Sequence, residues 1–281
     1  MKTKKQLEHK QEKTEDNHKQ PEREYIVTQT LAGVLHALRA TGLQIPSRET
    51  VTKTEESIVE AIRSQYPTNN VKVIPISFED QCDKISTAVH RARKSCPSAT
   101  IISTAPMLSF ETAGVCIEMS RIVDLEGKII GIGARPGHPS IERQLARVHG
   151  MLQEQPVIIA EDGSFTGSTL KFLLTKLKER RARVEVVVVG MLFPQAEKEI
   201  RSVYSGEIIR CYEFSNPLDW MPSHDFIPFL PNSGRTVGFK MGTPAFPLYL
   251  YDGASVCMPY IHPYGKPNEW ASLSDFHGFV E

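Results

Sequence analysis

The sequence predicts an α/β protein built on a doubly wound parallel sheet, with N-terminal helices before the sheet and a C-terminal loop-rich hood after it. Two observations carry this prediction. Between residues 71 and 214, short apolar runs alternate with amphipathic stretches, which is typical of parallel strands joined by right-handed helical crossovers. From residue 215 to residue 281 the chain is dense in proline, glycine and aromatic residues, which excludes a run of regular helices.

Composition sets limits on the class of protein. The 281 residues are 40% hydrophobic, enough for an ordinary buried core, and 33 basic residues balance 33 acidic ones. A chain without net charge has no positive electrostatic potential over its whole surface to attract nucleic acid, so we do not expect a nucleic-acid partner. No apolar run approaches the roughly 18 residues of a membrane span, so no membrane partner is expected either. Five scattered cysteines without a C-x-x-C pair argue against a disulfide framework or a zinc site and favour a cytoplasmic protein.

The part of the chain before the predicted sheet divides into two segments. Residues 1–24 are almost entirely charged or amide side chains, which predicts a disordered charged tail. Residues 25–70 are predicted to form an N-terminal helical segment, since apolar residues recur at helical spacing from Ile26 onward. Thr52 with Glu55 suggests a capping box before a second helix.

The core, residues 71–214, is predicted to alternate strands and helices. Ser77, with Asp80 three residues later, is suited to cap the first core helix. The predicted strands are 71–76, 99–105, 128–134, 157–160, 184–192 and 207–214. The predicted helices run from Ser77 to about Lys94, over 109–123, 141–152 and 168–181, with one more short helix before the last strand.

Two adjacent carboxylates, Glu161 and Asp162, follow the apolar strand at 157–160. In open α/β sheets ligands bind beyond the carboxyl ends of the strands, so this position favours a functional role. The residues that follow supply hydroxyls, backbone amides and the start of a helix, a combination suited to a phosphate group. They are Gly163, Ser164, Phe165, Thr166, Gly167, Ser168 and Thr169. The alternative is a structural role without a ligand, in which an acidic turn is followed by a Ser/Thr residue that caps the helix.

The run Glu161-Asp162, three variable residues, and Thr166-Gly167-Ser168-Thr169 resembles the PRPP-binding motif of the type I phosphoribosyltransferases. The resemblance implies a phosphoribosyltransferase-like core in which the two acids contact the ribose 2′ and 3′ hydroxyls and assist a Mg²⁺ ion. Residues 164–169 would hold the 5-phosphate. The implied ligand is PRPP or a nucleoside monophosphate, and a homodimer is compatible with the family.

The resemblance implies an enzyme that transfers ribose 5-phosphate to or from a nitrogenous base or amine, with pyrophosphate exchange. One departure stands out, because Phe165 occupies the place where purine phosphoribosyltransferases carry an aspartate that acts on the base. A noncatalytic regulator that senses PRPP or a nucleotide therefore stays open. So does an α/β protein whose acidic turn holds another sugar phosphate or a metal.

Two further segments occupy places where the family contacts pyrophosphate. Ser103, Thr104, Ala105 and Pro106 lie in the position of the family's pyrophosphate loop, although the basic residue often found there is missing and an ordinary strand-to-helix connection explains them equally well. The other segment, where the family has a mobile loop, carries four cations. They are Arg135, assigned a catalytic role, and His138, Arg143 and Arg147, of which the last two also fit a solvated helix face.

The C-terminal segment corresponds to the hood that selects the acceptor in this family. We expect Asp219, Trp220 and Phe226, with Phe229 nearby, to line the acceptor site, with the aromatic rings stacking on a base. The alternative is that these rings only attach the segment to the sheet. The adjacent pair His224 and Asp225 suits acid–base chemistry or a structural turn.

Overall fold

The computed structural model describes residues 22–39, 44–66, 70–105, 108, 114–123, 129–135, 138–227, 236–237 and 246–247. Its helices are α1 (Leu31–Arg39), α2 (Arg48–Gln65), α3 (Phe78–Ser95), α4 (Ile141–Arg147), α5 (His149–Glu154), α6 (Ser168–Glu179), α7 (Pro194–Arg201) and a 3₁₀ helix at Ser223–Phe226. Its strands are β1 (Arg23–Gln29), β2 (Val71–Ser77), β3 (Thr100–Ser103), β4 (Val115–Cys116), β5 (Met119–Val123), β6 (Ile129–Ala134), β7 (Val157–Ser164), β8 (Val184–Leu192), β9 (Glu207–Tyr212), β10 (Pro217–Pro222), β11 (Thr236–Val237) and β12 (Phe246–Pro247).

The central sheet has five parallel strands in the order β4-β3-β7-β8-β9. Successive residues of β7 point to opposite faces. Ile158 and Ala160 pack in the cluster that contains α3, whereas Val157 and Ile159 pack in the cluster that contains α4, α5, α6 and α7. The sheet is therefore covered by helices on both faces, which confirms an α/β architecture with a buried parallel sheet.

A second parallel sheet joins distant parts of the chain. Its three strands lie in the order β10-β1-β2, and β1 pairs with β10 over Glu24 to Thr28. Tyr25 and Val27 of β1 are fully buried, in a cluster with Phe226 and residues of α2. The N-terminal segment and the start of the C-terminal segment thus share one hydrophobic core.

The remaining strands form a third sheet in the order β12-β11-β5-β6, which contains an antiparallel hairpin. β5 pairs with β6, and β11 joins β5 in parallel. The register places Met119 opposite Ala134. The next residues outward, Glu118 and Arg135, therefore flank the open end of the hairpin, where the Arg135 amide donates to the Glu118 carbonyl over 3.1 Å.

Several predicted elements are confirmed, and the Ser77 cap is among them. The Ser77 hydroxyl accepts a hydrogen bond from the amide of Asp80 at the start of α3. The predicted strands within 71–134 and at 184–192 and 207–214 are present as β2, β3, β6, β8 and β9, and the predicted helices at 141–152 and 168–181 are present as α4, α5 and α6.

Several sequence-based expectations about these elements were wrong. Helical spacing from Ile26 onward led to a helix where β1 forms, because a strand buried on both faces gives a continuous apolar run rather than alternation. The helix predicted at 109–123 is replaced, in its described part, by β4 and β5, rich in β-branched residues. The cap of α2 is Ser47, and Thr52 lies inside the helix. Residues 1–21 of the tail predicted at 1–24 lie outside the described residues, and its last two residues, Arg23 and Glu24, belong to β1.

Candidate functional site

The two acids lie on the last part of β7 itself. The strand was expected to end at residue 160, but it continues to Ser164, with Glu161 paired opposite Val189 of β8. Glu161 is buried, with 7% of its surface exposed, and the Thr104 hydroxyl donates a hydrogen bond to its carboxylate. Thr104 directly follows β3, so the ends of two neighbouring strands meet at Glu161.

Asp162 is oriented by its own loop and by α3. Its Oδ1 accepts from the Gly163 amide over 2.8 Å, and its backbone carbonyl accepts from the Gln81 side chain over 3.3 Å. Burial raises the pKa of Glu161 well above its ordinary value, and the neighbouring Asp162 charge raises it further. Burial also raises the pKa of Asp162. Burial therefore opposes full ionisation of the pair, and a nearby cation such as Arg135 or a bound metal ion would favour it.

The loop after the acids turns sharply into α6. Gly167 has φ of +80°, a left-handed backbone that disfavours side chains, and a Cβ there would lie 2.7 Å from the Ala196 carbonyl oxygen. The hydroxyls of Thr166 and Ser168 are 3.0 Å apart beside this turn. Because Gly167 is itself the N-cap residue, it brings no side chain to cap the first amides of α6. These amides and hydroxyls suit an anion such as a phosphate group.

The Phe165 side chain packs against other apolar side chains. Its ring meets Phe193 edge-on, with 4.8 Å between the ring centroids, and it packs against the large core cluster beside α6 and α7. The position therefore supplies no acid or base.

Arg135 approaches the acid pair from the end of β6. Its positive charge lowers the pKa of Glu161 and of Asp162 and thereby opposes the effect of their burial. Its Nε lies 3.4 Å from Oε2 of Glu118. The structure thus brings this predicted cation to the predicted acids, together with a third carboxylate that the sequence analysis did not select.

Trp220 of β10 forms a wall over the acid loop. A Cβ on Gly163 would lie 2.7 Å from the indole ring, so the ring rests directly on this glycine. The indole Nε1 donates to the Thr28 hydroxyl over 3.1 Å, which fixes the ring relative to β1. The expected acceptor-hood residue therefore does lie beside the acids.

His224 lies buried in the 3₁₀ helix that follows β10. Its Nδ1 is 2.7 Å from the Thr30 hydroxyl, and its Nε2 is 3.6 Å from Oδ1 of Asp225. Burial lowers the pKa of His224 to about 4, and the positive charge of Arg135 also lowers it, whereas Asp162 raises it. The imidazole is therefore neutral at physiological pH and belongs electrostatically to the same site.

The other predicted site residues have varied placements. Ala105 is buried in a turn closed by the Ser103 hydroxyl, which accepts from its amide and donates to its carbonyl. Asp219 is buried, and one of its carboxylate oxygens accepts from the Trp220 amide. Phe226, only 2% exposed, packs in the core of the second sheet, as the packing alternative expected.

The remaining predicted residues are exposed or lie outside the described residues. His138, Arg143 and Arg147 are exposed, which for the last two agrees with a solvated helix face. Pro106 and Phe229 lie outside the described residues.

Glu118 is the residue that the sequence analysis missed. It lies in a segment that was predicted to be helical, where a carboxylate would fall on a solvated face. The signal that could have found it is the density of β-branched residues on either side of it, which favours a hairpin with residues 129–134 and places Glu118 opposite Arg135.

Comparisons with known proteins assign this chain neither a family nor a function. No protein-family profile and no curated protein matches the chain. One solved structure, described as the crystal structure of TT1426 from Thermus thermophilus, is similar over 48% of this chain and 84% of that chain, with 14% sequence identity and a TM-score of 0.31. A likeness of that size carries no argument about function. What stands is a mixed α/β protein with two parallel sheets. In the described ranges, no helix has both the length and the apolar character needed to cross a bilayer.

Proposed function

We propose that this protein binds PRPP together with Mg²⁺ and is a phosphoribosyltransferase acting on a nitrogen nucleophile. The observation that carries the proposal is the junction of β7 and α6. There the buried Glu161 and its neighbour Asp162 directly precede a Gly167-centred turn with uncapped helix amides. A sugar phosphate needs both parts, since its hydroxyls bind to carboxylates and its phosphate binds to amides and hydroxyls.

The proposed ligand extends across the site in a definite order. The 5-phosphate occupies the turn at residues 164–169, and the ribose hydroxyls face Glu161 and Asp162. Pyrophosphate lies toward Arg135, whose guanidinium neutralises charge on the leaving group. Trp220, resting on Gly163 above the acids, forms a wall of the acceptor side.

The carboxylates of Glu161 and Asp162 suit a metal ion that binds together with the ligand. Within the described residues, no cluster of three or more His, Cys, Asp and Glu is placed to hold a metal ion. Two adjacent carboxylates are, however, suitable hard oxygen ligands for Mg²⁺, which binds proteins through one or two carboxylates and takes its other ligands from phosphates and water. When bound, the ion disperses charge on the pyrophosphate.

The chemistry requires positioning more than covalent participation. The acceptor nitrogen forms a bond to C1 of the ribose, the bond from C1 to the pyrophosphate oxygen breaks, and pyrophosphate leaves with the electron pair. The wall formed by Trp220 and the end of β7 limits water access to a carbocation-like centre. Arg135 lies where the leaving group gains charge.

A second candidate is a PRPP-binding regulator without turnover. Phe165 favours it, because that ring is committed to packing against Phe193 and leaves no acid or base at the position. The two candidates share the ligand and differ only in whether pyrophosphate is released.

Thermal unfolding with a ligand panel tests the proposal. The ligands are PRPP, ribose 5-phosphate and pyrophosphate, each with Mg²⁺, and free ligand at about 100 times Kd stabilises by roughly 2.7 kcal/mol. We expect PRPP to raise Tm for the wild type and for the control Glu185→Gln, whose carboxylate pairs with Arg183, and to raise it far less for Asp162→Asn. Equal shifts for all three proteins would contradict the site. Release of pyrophosphate in the presence of bases or amines then separates enzyme from regulator.

A further inference from the structure

The guanidinium of Arg135 lies among charged groups with few contacts of its own. Its charge acts on Glu161, Asp162 and His224. Its closest approach to Glu118 is between Nε and Oε2, at 3.4 Å. In the part of the chain that the structure describes, these two buried atoms form no hydrogen bond. The closest contact of the ion pair is therefore made by the inner nitrogen of the guanidinium and not by its terminal nitrogens.

Glu118, by contrast, is held firmly in place. Gln144 of α4, which is 8% exposed, clamps its backbone in both directions. The Glu118 amide donates to Gln144 Oε1 over 2.8 Å, and Gln144 Nε2 donates to the Glu118 carbonyl over 3.0 Å and to the Pro139 carbonyl over 2.7 Å. Because the Arg135 amide donates to that same Glu118 carbonyl, the clamp extends to the backbone of the arginine.

The carboxylate of Glu118 is also oriented. Its other oxygen, Oε1, accepts from the Cys116 thiol over 3.5 Å, and burial together with the Glu118 charge raises the pKa of that thiol, so that it stays a donor. Oε2 is thereby directed toward Arg135. An arginine side chain loses rotamer entropy when it binds a ligand, and a fixed neighbour removes part of that freedom before the ligand arrives.

We propose that Glu118 is a positioning residue for Arg135, holding its guanidinium toward the acid pair so that the terminal nitrogens meet the pyrophosphate group of the ligand. This inference rests on the proposed function. It assigns Glu118 no contact with ligand, and its effect must pass through Arg135.

A double-mutant cycle tests the proposal, with calorimetric titration of Mg-PRPP, Mg-pyrophosphate and ribose 5-phosphate. We expect Glu118→Ala to weaken PRPP and pyrophosphate roughly tenfold. Glu118→Gln, which keeps an acceptor oxygen, should restore most of that loss. In an Arg135→Ala background the Glu118→Ala change should have no further effect. Ribose 5-phosphate should bind all variants alike, which also shows that they fold.

The outcomes separate this inference from the proposed function. Tighter PRPP binding by the Glu118 variants would mean that the carboxylate competes with the ligand, and it would overturn the positioning role. An equal loss for all three ligands, or a loss that persists in Arg135→Ala, would also overturn it. Any of these results leaves the proposed function standing if Asp162→Asn still weakens PRPP binding. Failure of the wild type to bind PRPP and pyrophosphate would overturn both.

Discussion

Gly167 and Gly150 differ in whether their backbone conformation and surroundings leave room for a side chain. Gly167 adopts a positive φ and lies against the Ala196 carbonyl, because the chain must reverse between β7 and α6. Gly150 lies in α5, and apart from its chain neighbours and the backbone of its own helix no atom lies within 4 Å of a Cβ position there. The same residue type is thus needed at one site and only tolerated at the other.

Replacing each glycine with alanine should give opposite results. Gly167→Ala should lower the free energy of unfolding by about 1–3 kcal/mol, through the left-handed backbone and the clash with Ala196. Gly150→Ala should leave it unchanged or raise it by up to about 1 kcal/mol. Urea denaturation of both variants measures the difference, and equal effects would show that the turn does not need glycine.

His224 predicts a specific pH dependence of stability. Its pKa falls from 6.5 to about 4 on folding. The contribution of His224 to the free energy of unfolding is fully present above about pH 6.5, where the imidazole is neutral in both the folded and the unfolded state. It declines as the pH falls toward 4, because the unfolded chain binds the proton first. Glu55 and Glu161, whose pKa values are raised, have the opposite effect, and Arg135, Asp162 and Asp225 surround the ring.

A difference measurement against His224→Gln isolates this contribution. The stability advantage of the wild type over the variant should shrink by roughly 3 kcal/mol between about pH 7 and pH 4. Chemical denaturation across that range measures it, and the acidic residues largely cancel because both proteins contain them. Parallel pH profiles would show that the imidazole is not held neutral by burial.

At the scale of elements, α1 is capped from the far end of the described chain. Ser223 Oγ accepts from the amides of Thr30 and Leu31 and donates to Glu55, a buried carboxylate that also accepts from the Leu31 amide. Burial raises the pKa of Glu55, which these hydrogen bonds partly offset. No local sequence signal identifies this cap, since its parts lie in three separate segments.

Loss of the remote cap should cost more than loss of a local one. Ser223→Ala removes one acceptor from each of the Thr30 and Leu31 amides and one donor from the buried Glu55 carboxylate. We therefore expect it to lower the free energy of unfolding by about 1–3 kcal/mol. Ser47→Ala removes the exposed cap of α2, whose hydroxyl accepts from the Thr50 amide and lies 2.9 Å from the Thr50 hydroxyl. Because this cap is exposed, its loss should cost about 1 kcal/mol or less. Equilibrium unfolding of the two variants compares them, and a larger loss for Ser47→Ala would refute the role of the buried network.

At the scale of the whole molecule, two sheets meet at the acid pair. The central sheet contributes Asp162 and Gly163, and the second sheet contributes Trp220 on β10 and Thr28 on β1. The segments expected to be an N-terminal helical region and a separate hood are therefore joined in one three-stranded sheet at the edge of the site.

The sequence predicted what is local and not what is distant. Strand β8, helix α6 and the Ser77 cap follow from short-range pattern and were predicted correctly. The pairing of β1 with β10 joins residues such as Thr28 and Pro222, which no periodicity connects. In the site, Glu161, Asp162 and Arg135 were selected from motif and position, whereas Glu118 required the hairpin register that helical spacing concealed.

The most direct test of the central claim is calorimetric titration of Mg-PRPP into the wild type and Asp162→Asn. Because Asp162 faces the proposed ribose position and Gly163 already fixes its orientation, an amide there keeps the shape while removing the charge. We predict saturable binding to the wild type and a loss of at least about tenfold in affinity for the variant. Equal affinity for the two proteins, or no binding to the wild type, would contradict the assignment of this strand end as a PRPP site.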